Sequence, residues 1–129
     1  MMISKRPYFL KAWYDWISDN ELTAHIVVDA TLPKVKVPKA HVQEGKITLN
    51  ISPQAVDNFR MHYMPQFPRT LYALEFEAGF QAGIEQIYIP VQAIEAIYAA
   101  ENGQGTPFSK EAGEQFPESK SKPEFFIVE

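Results

Sequence analysis

The three histidines, His25, His41 and His62, are the first residues to test for chemistry, and no two of them fall at the i, i+4 spacing that lets two imidazoles hold one metal on a helix face. His25 opens a β-branched run, where an imidazole satisfied by its own fold is the default reading. The chain has no cysteine, which removes disulfides, thiolate metal sites and cysteine nucleophiles together. Asp15 and Asp19 stand one helical turn apart, and Glu75 and Glu77 share a strand face. Both pairs read as solvated carboxylates rather than as an acid and a base. Gly103-Gln104-Gly105 lacks the third glycine of a phosphate loop and would follow a helix instead of opening one. Asn50-Ile51-Ser52 fits a glycosylation pattern that has no meaning for a cytosolic chain. No catalytic constellation emerges, and no cofactor or metal is expected. An enzyme, a hydrolase for example, is not excluded by composition, but no residue set nominates one. Binding is the role that is left.

The elements that would position a binding surface begin with a helix. Pro7 suits a first helical turn, since its missing N–H has no intrahelical acceptor there. The pattern runs to about Asp19, with Asn20 able to take a left-handed cap. Phe9, Trp13, Trp16 and Ile17 form one stripe, while Tyr8, Leu10 and Tyr14 spread around the other sides. A surface helix needs one apolar stripe of about 100°, so this one has surface to spare for a partner or a deep core. Ala24–Thr31 then reads as a strand, and Val35–Pro38 as a short extended piece at an edge. Lys46–Ile51 alternates, with Ile47, Leu49 and Ile51 inward. Ser52 is placed to cap a short helical turn at Pro53–Val56. Leu71–Phe80 puts Leu74, Phe76, Ala78 and Phe80 on one face, and Ile84–Ile89 returns after Gly83. The spacing of Val91, Ile94, Ile97 and Tyr98 predicts a second short helix from Pro90 to Ala100, ended by Asn102-Gly103. The expected class is mainly β with α: a small antiparallel β-barrel between an N-terminal helix and a second short helix late in the domain.

Composition divides the chain. It has 129 residues, 46% hydrophobic and 22% charged, which suits one globular domain. Residues 1–108 are apolar enough to form it, 109–122 are almost wholly polar and read as a flexible linker, and 123–129 turn apolar again. The N-terminus has no apolar stretch of a signal peptide, and no run approaches the roughly 20 residues needed to cross a bilayer. A soluble, cytoplasmic protein without membrane contact is expected. The net charge of −4 argues against a nucleic-acid partner.

Several long strings stand in collinear order: Arg6-Pro7-Tyr8-Phe9-Leu10-Lys11-Ala12-Trp13-Tyr14-Asp15-Trp16, then Asp19–Thr23, His25–Pro33, Val35–Pro38, Gly45–Val56, Phe76–Phe80 and Ile89–Thr106. Together they resemble the SspB family, stringent starvation protein B, over most of residues 6–108. The resemblance implies a homodimeric adaptor with an Sm-like barrel that binds ssrA-tagged polypeptides and delivers them to the ClpXP protease. The family's apolar end docks on the N-domain of ClpX, which here implies Phe125, Phe126, Ile127 and Val128. The first helix would form the dimer interface through Phe9, Leu10, Trp13, Tyr14, Trp16 and Ile17. An Sm-like RNA-binding protein is the alternative, opposed by the charge.

For the tag, the resemblance implies a peptide groove with two walls. One is the turn from the strand end, with Asn50, Ile51, Ser52, Ala55 and Val56, bordered by Phe59. The other is Phe76, Glu77, Ala78 and Phe80. An extended peptide is held by main-chain hydrogen bonds and side-chain pockets, and Asn50 offers a donor and an acceptor. Residues 60–71, which look longer than the matching family segment, border that groove.

Overall fold

The structure is a computed structural model, and it describes residues 3–108. Helix α1 spans Arg6–Asp19, with Pro7 in its first turn. It ends at Asp19, as expected, and only the cap differs. Glu21, not Asn20, takes the left-handed conformation at φ 60°. Glu21 N–H donates to Ser18 O at 2.9 Å and Leu22 N–H to Ile17 O at 3.0 Å, which satisfies two carbonyls of the last turn.

Seven strands follow: β1 Ala24–Asp29, β2 Lys46–Asn50, β3 Val56–Tyr63, β4 Leu71–Phe80, β5 Gly83–Pro90, β6 Ile94–Ala99 and β7 Gly105–Pro107. They make two antiparallel sheets, ordered β2-β1-β6-β7 and β3-β4-β5. Among the described residues no ladder joins the two sheets, so the expected closed barrel is replaced by an open pair. Two corners explain the split. After β2 the chain turns at Ser52–Ala55, where Ala55 N–H bonds Ser52 O at 2.9 Å, and it enters the other sheet as β3. This is a turn running straight into a strand, in place of the expected helical turn over Pro53–Val56. After β5, Pro90 supplies no N–H to continue a ladder, and Val91–Ala93 makes one 3-10 turn into β6.

The expected second helix is therefore that single turn followed by a strand. The cause is a bulge. Val27 pairs with Ala96 while the next residue, Val28, pairs with Ile94, leaving Glu95 as an extra residue. Ile94 and Ile97 both point inward as a result, and a three-residue spacing mimics a helical stripe. The short piece at Val35–Pro38 does lie at an edge: Lys36 N–H donates to Tyr88 O and Tyr88 N–H to Lys36 O, at 2.8 and 3.0 Å.

The core lies between the sheets and under α1. Ile26, Val28, Ile47 and Leu49 face Leu74, Phe76, Ile87 and Ile89, and Leu10 and Ile17 close it from the helix. Arg6 is buried as well. Its Nη1 donates to Gln92 O at 2.8 Å and Ile94 O at 3.0 Å, and the guanidinium lies 5.7 Å from the centre of the Phe108 ring. One cation thus ties the helix start to the β5–β6 corner and to the end of β7.

Candidate functional site

The most distinctive feature is where the two sheets part. On β4, Leu74 and Phe76 are fully buried, yet Ala78 and Phe80 on the same inner face are only half covered. An inner-face residue left half open marks a gap between layers. The ring of His41, from the loop before β2, stands 5.1 Å from Phe80 at that end.

The nearby β2 has a free edge. Ala30 N–H donates to Gly45 O and Ile51 N–H to Ala24 O, which fixes the hydrogen-bonded pairs of the β1–β2 ladder. By alternation from those pairs, the backbone groups of Thr48 and Asn50 point away from β1. No backbone partner meets them among the described residues. A free edge of this kind accepts an extended peptide as an added strand.

Each expected groove residue has a definite place. Asn50 is exposed, but its Oδ1 already accepts from Ser52 N–H at 2.9 Å and Ser52 Oγ–H at 2.7 Å. Only its Nδ2 and its backbone face outward. Ser52, Ile51 and Val56 are buried, and Phe76 has no exposed surface. They form the floor under any groove. Ala55 is exposed at the turn, and Val56 pairs with Ala78 across β3 and β4. Phe59 is taken by packing: its ring stacks on Tyr14 at 5.3 Å and lies 5.8 Å from Phe76. Glu77 is on the opposite face of the sheet, accepting from Gln86 Nε2 at 2.7 Å, so strand alternation separates it from Ala78 and Phe80.

The helix residues also divide. Leu10 and Ile17 belong to the protomer's own core and offer a partner nothing. Phe9 and Trp16 are exposed, Trp13 is half-buried, and the two indoles meet edge to face at 5.6 Å. With Ala12 they border a shallow apolar hollow on the outside of the helix. Tyr14 faces the other way, onto Phe59. Phe125, Phe126, Ile127 and Val128 lie outside the described residues.

Among the described residues catalytic arrangements are not evident. His62 bonds Glu75 at 2.8 Å and Arg60 lies 3.6 Å from the same carboxylate. The His62 contact and the nearby cations lower the Glu75 pKa from the usual value of 4.5. This cluster lies on the outer sheet face, beside Tyr72 and Tyr88. Among the described residues no three His, Cys, Asp or Glu side chains could hold a metal ion, and no helix is long and apolar enough to cross a membrane.

Known proteins agree with the chain along nearly its whole length. Residues 4–125 match the family described as SspB, stringent starvation protein B. This chain belongs to the SspB family. The stringent starvation protein B homolog of Haemophilus influenzae (strain ATCC 51907 / DSM 11121 / KW20 / Rd) is 43% identical over 107 residues, which are 83% of this chain and 66% of that relative's length. SspB membership covers α1, both sheets and the parted end between them, so the whole candidate site lies within the matched span.

Sequence reasoning missed β3. Its strand pattern is broken by Asn58, in the left-handed region at φ 53°, and by a register shift between Asp57 and Arg60. The Asn58 position was the available signal, because asparagine tolerates that conformation better than other non-glycine residues.

Proposed function

We propose that this chain is a non-enzymatic adaptor that binds ssrA-tagged polypeptides and delivers them to the ClpXP protease. The observation that carries the reading is the half-open inner face at Ala78 and Phe80, beside the unpaired edge of β2, in a chain of the SspB family. A tag would lie extended along that edge. Thr48 and Asn50 would supply main-chain hydrogen bonds, and Ala78 and Phe80 would receive alternate side chains. Small Ala78 leaves room that a larger residue would fill.

In this reading two protomers pair through Phe9, Trp13 and Trp16, giving one particle with two tag sites. The apolar residues Phe125–Val128 dock on the N-domain of ClpX. Two tails on one dimer raise the effective concentration of a weak contact into the millimolar range for short linkers. A dimer that holds the tag in one place and the unfoldase in another brings them together without chemistry of its own.

The test is fluorescence anisotropy with a labelled ssrA peptide and, in parallel, a labelled RNA oligomer. The adaptor reading expects saturable peptide binding and no RNA binding. RNA binding without peptide binding would replace it with the Sm-like alternative.

A further inference from the structure

A second groove lies on the far side of α1 from the aromatic stripe. It is a cavity of 140 Å³ between the helix start and the loop end of the β3–β4 hairpin, lined by Pro7, Tyr8, Lys11, Tyr63, Arg69, Thr70 and Leu71. A protein cavity of about 150 Å³ takes one benzene molecule, so this one has room for a single phenyl ring. It runs into a second hollow of 280 Å³ through Pro7, Thr70 and Leu71, which line both. Arg6 and Gln92 line that second hollow, and Arg6 also packs on Phe108, where the described chain ends.

The walls carry two cations. Lys11 Nζ shares the Asp15 carboxylate at 2.6 Å, and Arg69 has no carboxylate partner among the described residues. The groove is thus apolar at its centre, with a cation on each wall, Lys11 held beside Asp15 and Arg69 without a carboxylate among the described residues. The segment Pro123-Glu124-Phe125-Phe126-Ile127-Val128-Glu129 has the complementary order, two glutamates enclosing four apolar side chains. We propose that this segment docks in the groove of its own protomer, with a phenylalanine ring in the cavity and the glutamates facing Lys11 and Arg69.

Reach and geometry permit it. A coil the length of residues 109–122 has an r.m.s. span of about 20 Å, and it starts from Phe108, whose ring lies 5.7 Å from the guanidinium of Arg6, a residue that lines the adjoining hollow. At about 100° per residue, Phe9, Trp13 and Trp16 lie on one side of the buried Leu10–Ile17 line, and Pro7 and Lys11 on the other. A dimer formed by the aromatic stripe leaves the groove open. The docked segment would be withheld from any outside partner, so the groove acts as a rest position that partners must compete with. The proposal goes beyond the adaptor reading, and its test uses neither tag nor protease.

The experiment titrates a fluorescein-labelled peptide of residues 123–129 against the full chain and against the chain ending at Lys122. A tethered segment competes at roughly millimolar concentration. If the free peptide binds the truncated chain at about 100 µM, the full chain should bind it about tenfold more weakly. Lys11→Glu with Arg69→Glu, both on exposed or half-exposed side chains that the fold does not need, should weaken peptide binding to the truncated chain by tenfold or more. A peptide carrying Glu124→Lys and Glu129→Lys should recover binding to that double variant. Equal affinity for full and truncated chains, no binding to the truncated chain, or binding unchanged by the charge reversal would overturn the proposal. So would competition in the full chain that grows with protein concentration, since that would place the segment on a second copy.

Discussion

If protomers pair through α1 as proposed, replacing Trp16 by glutamate should split that dimer while leaving each protomer folded. Phe9 is 49% exposed and Trp16 43% exposed in the protomer, so neither is needed to close its core. An aromatic side chain can bury about 150–250 Å², which leaves roughly 75–125 Å² of each ring for a partner to cover. Two rings on each of two protomers make roughly 300–500 Å², or about 8–12 kcal/mol at ~25 cal/mol per Å². Association itself costs about 4–15 kcal/mol, so these rings are a necessary share of any micromolar dimer, which needs about 8 kcal/mol net. Trp16→Glu removes a ring from both sides of a twofold contact, roughly 4–6 kcal/mol before the cost of facing carboxylates. The dimer should weaken by at least ~100-fold. Sedimentation equilibrium at micromolar concentrations reads the stoichiometry, and far-UV circular dichroism with a thermal melt checks the fold. A wild-type monomer, or a Trp16→Glu variant that stays dimeric, would refute the assignment of this helix face.

Arg6→Leu should lower stability by about 1–3 kcal/mol in chemical denaturation, because the Gln92 and Ile94 carbonyls lose their buried donor. Glu101 accepts from Thr23 N–H at 2.8 Å and Thr23 Oγ–H at 2.7 Å, and these bonds lower its pKa from 4.5. A lowered folded-state pKa stabilises above the unfolded value and is lost as pH falls through the folded one. Wild type should therefore exceed Glu101→Gln in stability at neutral pH, with the gap closing below pH 4.5 in denaturant titrations. Deleting residues 123–129 should leave ssrA-peptide affinity unchanged and remove the acceleration of ClpXP degradation of a tagged reporter.

The legible parts of the fold were those where one rule acts alone. The stripe of α1 and the alternation of β2 and β4 each follow a single period, and the structure places those elements within a residue or two of expectation. The failures share a cause. At β6 a bulge converts a period of two into a helical spacing, and pairing with β1 overrides the helix preference of an alanine-rich run. At β3 the left-handed Asn58 breaks the pattern. Gly103-Gln104-Gly105 shows the same limit. Gly103 sits at φ 75° in the β6–β7 turn, and a Cβ on Gly105 would collide with the Ile97 carbonyl and the Tyr98 backbone. Gly103 serves the turn and Gly105 the close strand approach, and no local spacing reveals either role.

The candidate site was legible by resemblance more than by pattern. Sequence alone could not tell Phe76 at the floor from Ala78 at the opening, because both share one strand face. It could not show that Asn50 spends its side-chain oxygen on Ser52. Burial along β4 depends on where the second sheet ends, and that is a long-range fact. The buried role of Arg6 had no local signal either, since its acceptors lie more than 80 residues away.

The central claim is that the parted end of the sheets receives the tag, and Ala78→Gln tests it most directly. Overfilling a fitted apolar site costs about 1–3 kcal/mol, which is roughly 5- to 150-fold in affinity. Ala78 is half-buried at the margin of the core, so the folded state should absorb the larger side chain. The measurement is an anisotropy titration of one labelled ssrA peptide with wild type and Ala78→Gln, each shown to be folded by its thermal melt. The account predicts saturable binding to wild type and weakening of at least fivefold in the variant. Equal affinity for the two proteins, or no binding to wild type, would contradict it.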